Sequence, residues 1–143
     1  MNALTSKKLD SKVAVLALIM LSPVFANAGC IQSDLQGTWY TYAAAMLHCK
    51  IKVNSSGSIV ASNSKCSIRD ETGRYSLNIG GGNLKVSNNC VIVDGKIRLC
   101  EDRCTSLTIE HGILERDKNM IILEVYAPVV DPTTSLSLVG AKK

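Results

Sequence analysis

The amino-acid sequence predicts an all-β protein: an antiparallel up-and-down meander of about ten short strands, stapled by disulfides. Apolar and polar residues alternate in short runs such as 49–53, and no helical pattern is long enough to fold alone. Turn residues (Gly, Asn, Asp) recur between these runs. Six cysteines, all beyond residue 29, are typical of a small exported domain held by disulfides. This pattern favours a small closed β-barrel, and a two-sheet β-sandwich is the alternative.

Residues 1–28 have the features of a cleaved signal peptide. Lysines precede an apolar run at 13–21, and Ala28 follows with a second alanine two positions before it. The apolar run is shorter than the roughly 20 residues that span a membrane as a helix. We therefore expect cleavage after Ala28 and a single all-β domain at 29–143, located in a bacterial periplasm or secreted. A lipid anchor on Cys30 is the less favoured alternative.

The charge of the chain argues against nucleic acid as a partner. The formal net charge is +4, from 16 basic and 12 acidic residues. The predicted signal peptide contains three lysines and one aspartate, so the mature chain has 13 basic and 11 acidic residues, a net charge of +2. A near-neutral domain of this kind does not predict binding to nucleic acid or to an anionic membrane.

The strands can be placed in order between the predicted turns. Turns are predicted at 54–57, 70–73, 80–83, 94–95, 110–112 and 117–119. The strand-forming runs are a first strand around Trp39, then 49–53, 58–61, 75–79, 84–86, 91–93, 96–99, 107–109 and 120–125, with a last edge strand in 133–140. Lys142 and Lys143 are expected to fray.

Three similar sequence segments account for the spacing of the cysteines. GSIVASNSKC at 57–66, GNLKVSNNC at 82–90 and GKIRLCEDRC at 95–104 each begin with glycine and end in cysteine. The first and third belong to longer units that open with Cys-x-Ile, and each unit is interpreted as a hairpin with cysteines at one end. The predicted disulfides are Cys49–Cys66 and Cys90–Cys104, which leaves Cys30–Cys100. The alternative is Cys100–Cys104 across a three-residue loop.

No motif predicts catalysis, a cofactor or a metal ion. Cys100 and Cys104 lack the second close cysteine pair of a zinc site. The glycines at 80–82 precede a strand pattern, whereas a phosphate-binding loop precedes a helix. His48 and His111 are expected at solvated positions, and no nucleophile-elbow motif is present. The chain is therefore predicted not to be an enzyme.

The segment Leu-Gln-Gly-Thr-Trp-Tyr at 35–40 contains the single tryptophan, Trp39. A Gly-x-Trp on the first strand of a meander resembles lipocalins and avidins, and the similarity to avidins continues through the hairpin at 53–59. The resemblance implies a meander barrel in which Trp39 closes one end and has a structural role. Avidin biotin sites have walls of several tryptophans, so the resemblance does not extend to biotin binding.

Two tyrosines provide the candidate interaction face. Tyr40 and Tyr42 lie on the same face of the first strand, opposite Trp39. The first hypothesis is a non-catalytic, exported interaction module that binds a protein through this face or a strand edge. The alternative is a carrier of a small apolar ligand, in which Ile51, Val53, Ile92 and Ile97 line a void. An enzyme with a composite site is the least favoured reading, and the oligomeric state is left open.

Overall fold

Eight antiparallel strands close into a β-barrel. The structure, a computed structural model, describes residues 29–44, 46–126 and 135–143, so the predicted signal peptide lies outside the described residues. The strands are β1 (Gly37–Ala43), β2 (Leu47–Val53), β3 (Lys65–Asp70), β4 (Gly73–Val86), β5 (Val91–Cys100), β6 (Cys104–Leu114), β7 (Met120–Tyr126) and β8 (Ser135–Lys142). Each strand pairs with its neighbours in sequence, and β8 pairs with β1. The predicted all-β meander is confirmed, and of the two arrangements the chain adopts the closed barrel.

The chain forms eight strands, slightly fewer than the predicted number of about ten, because three glycine-containing segments are not turns. Residues 80–82 lie within β4, residues 94–95 within β5 and residues 110–112 within β6. The strand registers shift at the first and third of these segments, which marks β-bulges. In addition, the predicted strand at 58–61 forms isolated bridges and a short 3-10 turn. Long, bent strands therefore replace pairs of short ones.

The glycines in these strands make room for large neighbours inside the barrel. A Cβ atom on Gly95 would lie 2.6 Å from Cδ1 of Ile109, and one on Gly112 would lie 2.8 Å from Cβ of Ile92. Such positions permit close packing where a strand bends around a small barrel. Since glycine also marks turns, local sequence patterns do not separate the two roles.

Alternating side chains of all eight strands fill the interior. The buried apolar side chains form one continuous core cluster, which includes Trp39, Ile51, Val53, Ile92, Ile97, Leu107, Ile121, Leu123, Val125 and Leu138. The alternation is clearest in β2 and β7, where every second residue is buried. The barrel interior is thus a packed core over these positions.

The segment before β1 closes one end of the barrel, which we call the closed end. The 3-10 turn Gln32–Leu35 lies across it. The Gln32 side chain donates a hydrogen bond to the Leu84 carbonyl at 2.7 Å and accepts one from the Val86 N–H at 3.1 Å. Trp39 Nε1 donates to the Leu35 carbonyl at 2.8 Å, and both residues are at most 1% exposed. Trp39 therefore joins the core to the segment that covers it.

The C-terminal strand completes the barrel. The segment was predicted as an edge strand, but β8 pairs with β7 on one side and with β1 on the other. Lys142, expected to fray, pairs with Trp39, and its ammonium lies 5.2 Å from the indole ring centroid. The same ammonium donates a hydrogen bond to the Asp34 carbonyl at 2.8 Å. Closure of the barrel explains the error, because it gives the last strand a second partner.

Three disulfides connect the six cysteines. Cys49–Cys66 was predicted correctly and joins opposed residues of β2 and β3. The predictions Cys90–Cys104 and Cys30–Cys100 were wrong, whereas the alternative Cys100–Cys104 is confirmed, and the third bond is Cys30–Cys90. The predicted hairpin at 91–99 is one strand, β5, so Cys90 and Cys100 lie at opposite ends of the barrel. Three disulfides fit an extracellular or periplasmic protein.

An ion pair at the closed end makes stability depend on pH. The Asp34 carboxylate lies 2.8 Å from the Lys118 ammonium and accepts a hydrogen bond from the Ile31 N–H. Partial burial alone raises the pKa of this carboxyl, but those hydrogen bonds and the positive charges of Lys118 and Lys142 outweigh it, so the pKa lies below 3.8. The ionised carboxyl then contributes stability above the unfolded-state pKa of about 3.9, and this is lost as the pH falls through the folded-state pKa.

Asp34→Asn is expected to lower the free energy of unfolding by about 1 kcal/mol at neutral pH. The difference from the wild type should shrink as the pH falls below about 4. Urea unfolding followed by tryptophan fluorescence at a series of pH values measures it. Asp117→Asn is the matched control, because Asp117 is an exposed aspartate next to Lys118 in the turn between β6 and β7. A difference that is constant with pH would contradict this account of Asp34.

Candidate functional site

Tyr40 and Tyr42 lie on the outer surface of β1, on the side opposite the buried Trp39. Tyr42 is 52% exposed and Tyr40 is half-buried. Tyr42 is paired across strands with His48 of β2, and the two rings meet edge to face with centroids 4.8 Å apart. This edge-to-face packing orients the Tyr42 ring while leaving half of the residue accessible.

A cleft of about 350 Å³ extends from these tyrosines across the outer faces of β1 to β4. We call it the Tyr40/Tyr42 cleft. Its lining consists of Tyr40, Tyr42, His48, Cys49, Lys50, Lys65, Cys66, Ser67, Arg74 and Ser76. Four consecutive strands supply these residues, and the Cys49–Cys66 disulfide cross-links the two central strands directly beneath the cleft. The cleft therefore has a rigid floor, which reduces the entropy lost when a ligand binds.

The cleft is cationic. Lys50, Lys65 and Arg74 line it, and its lining contains no carboxylate. Lys50 stands directly opposite Lys65 in the β2–β3 pair, and Arg69 stands opposite Arg74 in the β3–β4 pair. Like charges directly opposed across strands destabilise a sheet. The two pairs lie near opposite ends of β3, and together they give this face a positive charge that attracts anions, at some cost in stability.

A second depression adjoins the cleft and widens the polar surface. It shares Lys50 and Lys65 with the cleft. Its remaining lining residues are Ala61, Ser62, Asn63, Ser64 and Asn78, which add hydroxyl and amide groups beside the two lysines. The sequence analysis did not single out these residues or the cations. The cations occupy outward positions in the alternating patterns of β2, β3 and β4, which is a signal in the sequence. The pairing of these strands was needed to show that the cations lie close together.

The strand edges proposed as an alternative recognition site are mostly occupied. The barrel is closed, so each strand pairs with a neighbour on both sides, although residues 135–138 of β8 extend beyond the residues that pair with β1. The part of β2 beyond its pairing with β3 is covered by the following loop: Val53 forms a bridge with Ile59, and the Lys52 carbonyl accepts a hydrogen bond from the Val60 N–H at 2.8 Å. The tyrosine face is accessible, since Tyr42 is 52% exposed.

The two histidines lie on different strands, His48 on β2 and His111 on β6. His48 packs against Tyr42, whereas His111 is exposed on β6 opposite Glu124 of β7. Within residues 29–44, 46–126 and 135–143, no group of three or more His, Cys, Asp and Glu side chains is placed to hold a metal ion. In the same part of the chain, no helix has the length and apolar character needed to cross a membrane.

Comparisons with protein-family models, with curated proteins and with solved structures gave no match to this chain. The resemblance to lipocalins and avidins therefore stays a prediction from the segments at 35–40 and 53–59.

Proposed function

We propose that this protein is a non-catalytic interaction module of the bacterial periplasm or extracellular space, released by cleavage after Ala28. Its recognition surface is the Tyr40/Tyr42 cleft, and its partner is a protein that presents an acidic segment. One observation carries the proposal: the exposed ring of Tyr42 lies on the same face of the barrel as like-charged residues that stand opposite each other, and a disulfide braces this face.

The chemistry of the cleft supports an acidic partner. The cations supply charge-assisted hydrogen bonds to carboxylates. The accessible face of the Tyr42 ring supplies apolar contact, and aromatic residues of this kind are enriched where proteins bind each other. The ligand's charge would also relieve the repulsion between Lys50 and Lys65, so that binding and folding stability are linked.

A filled interior supports a binding surface on the outside. Ile51, Val53, Ile92 and Ile97 are at most 2% exposed and belong to the continuous core cluster. In a carrier these side chains would line a void for the cargo. The position of the cleft on the outer face, away from that core, fits an interaction module better.

One observation favours the second candidate, a carrier for a small apolar ligand. The Thr41 hydroxyl points into the barrel and is buried, and among the described residues Thr41 Oγ1 is the buried side-chain polar atom without a hydrogen-bond partner. A buried polar atom of this kind is costly to leave unpaired, and a ligand with a polar group would satisfy it. Native mass spectrometry of the mature protein from its host separates the candidates: a carrier retains a mass excess that denaturation removes.

The proposed function predicts binding of acidic peptides that depends on charge. A fluorescent peptide with alternating glutamate and aromatic residues should bind the mature protein, and the affinity should fall as the salt concentration rises. Lys65→Glu is expected to raise Kd about tenfold or more, and Tyr42→Ala several-fold. Fluorescence anisotropy measures both changes.

Lys96→Glu is the matched control for this experiment, because it makes the same charge change at an exposed site on β5, outside the cleft. It should leave Kd within about twofold of the wild type. A second control replaces the glutamates of the peptide with glutamine, which should abolish binding. Equal weakening by Lys65→Glu and Lys96→Glu would show that net charge alone attracts the peptide, and would overturn the assignment of the cleft.

A further inference from the structure

A row of exposed aliphatic side chains crosses the four neighbouring strands β5 to β8 and ends beside Tyr42 of β1. Val91 of β5 pairs with Ile113 of β6, Ile113 pairs with Ile122 of β7, and Ile122 pairs with Val139 of β8. We call these four residues the apolar strip. They are 40%, 58%, 44% and 43% exposed, respectively. The strip runs perpendicular to the strands near the closed end of the barrel.

Two further apolar side chains widen the strip. Val93 lies two residues beyond Val91 on the same face of β5 and is 54% exposed, and Met120 lies two residues before Ile122 on β7 and is 41% exposed. Outward positions on the strands of a soluble barrel are normally polar, because alternation places apolar residues inside. Here the outward positions near one end of β5 to β8 are apolar, as the inward positions are. Packing of the barrel core explains why the inward residues are apolar, but it does not explain why the outward residues are.

The size of the strip is suited to an interface. Six side chains of roughly 150–200 Å² each, about half exposed, present on the order of 500 Å² of apolar surface, close to the largest patch on a typical monomer. A stable protein interface buries about 800 Å² on each partner, with an apolar centre and a polar rim. The strip therefore has the size of the apolar centre of such an interface, and the remaining area of about 300 Å² has to come from a polar rim that includes Glu124 and Ser137.

The distribution of charge on the barrel indicates which partner covers the strip. The strip itself contains no charged side chain, so two copies can place it face to face without opposing like charges. The cationic residues Lys50, Lys65 and Arg74 lie on β2 to β4, whereas the strip lies on β5 to β8. Association through the strip therefore keeps the two cationic faces apart. Two antiparallel sheet faces with aliphatic side chains pack together about 10 Å apart, as in a β-sandwich.

From this area and charge distribution we infer that the apolar strip binds a second copy of this chain, forming a two-fold symmetric dimer. Symmetric dimers use the same patch on both subunits, and an uncharged aliphatic row is complementary to itself. Because Val139 pairs with Tyr42 of β1, the interface lies beside the tyrosine end of each cleft, whereas Lys50, Lys65 and Arg74 of each copy face away from it on β2 to β4. The dimer does not depend on the proposed function, since neither the strip nor its register involves a ligand of the cleft.

Sedimentation velocity of the oxidised mature chain over about a hundredfold range of micromolar concentrations tests this inference. The wild type should shift from monomer mass to dimer mass as concentration rises. Ile113→Lys and Ile122→Lys should each raise the dimer Kd about tenfold or more, because each would place charges at the centre of the interface. Thermal unfolding of each variant shows that the fold is retained.

Met46→Lys is the matched control, because Met46 is 53% exposed and lies in the β1–β2 turn at the opposite end of the barrel. It should leave the dimer Kd unchanged. A wild-type chain that stays monomeric over the whole range would overturn the inference. Association that survives both isoleucine substitutions, or that Met46→Lys weakens equally, would also overturn it.

Discussion

Removing the Cys30–Cys90 disulfide is expected to lower the free energy of unfolding by about 4 kcal/mol, the largest loss of the three disulfides. This bond spans 60 residues, whereas Cys49–Cys66 spans 17 and Cys100–Cys104 spans 4. In the chain-entropy description a longer loop restricts the unfolded chain more, which gives about 3 kcal/mol for the second bond and about 2 kcal/mol for the third. Cys30 also holds the segment that closes the barrel end, since its N–H donates to the Asn88 carbonyl.

Paired alanine substitutions measure these losses without leaving a free thiol. The variant Cys30→Ala with Cys90→Ala is compared with Cys100→Ala with Cys104→Ala by urea unfolding under oxidising conditions. The second variant is the control for the loss of any disulfide from the barrel. If it is destabilised as much as the first, neither loop length nor anchoring of the N-terminal segment explains the role of Cys30.

Trp39→Ala is expected to lower the free energy of unfolding by about 3–5 kcal/mol. The substitution empties the largest fully buried side-chain position of the described residues and removes the hydrogen bond to the Leu35 carbonyl. Trp39→Phe keeps most of the ring volume but leaves that carbonyl unpaired, so a loss of about 1–3 kcal/mol is expected. Guanidinium unfolding followed by far-ultraviolet circular dichroism measures both, since the variants lack the fluorescent indole.

Tyr42→Ala is the control for removing an aromatic ring from the same strand. Tyr42 is half exposed, so its loss should change stability by no more than about 0.5 kcal/mol. If Trp39→Ala were as mild as Tyr42→Ala, the tryptophan would not anchor the closed end, and the similarity to lipocalins and avidins at this position would have no structural meaning.

The class of the fold could be predicted from local patterns, but its details required long-range contacts. Alternation in runs such as 49–53 gave the strands, and the resemblance around Trp39 gave the barrel. The glycines at 95 and 112 were misread because a glycine that avoids a clash with Ile109 or Ile92 looks like one in a turn. The interpretation of Gly95 as part of a turn also led to two wrong disulfide predictions, since it placed Cys90 and Cys104 at the same end of a hairpin.

The candidate site was predicted in part for a similar reason. The face shared by Tyr40 and Tyr42 follows from two-residue periodicity within one strand. The opposition of Lys50 to Lys65 and of Arg69 to Arg74 depends on the register between strands, which a turn length and a closed barrel determine. The apolar strip likewise combines four strands. Features that lie along one strand are accessible to sequence reasoning, whereas features that lie across strands need the structure.

Site-specific photocross-linking at position 42 in the host's exported fraction tests the central proposal most directly. A photoreactive phenylalanine analogue replaces Tyr42 with little change of shape, and the same analogue at Met46, 53% exposed and outside the cleft lining, is the control. The account predicts a protein adduct from position 42 that is absent from position 46 and is lost when Lys65→Glu is added. Equal adducts from both positions, or none from position 42, would contradict a recognition surface at the Tyr40/Tyr42 cleft.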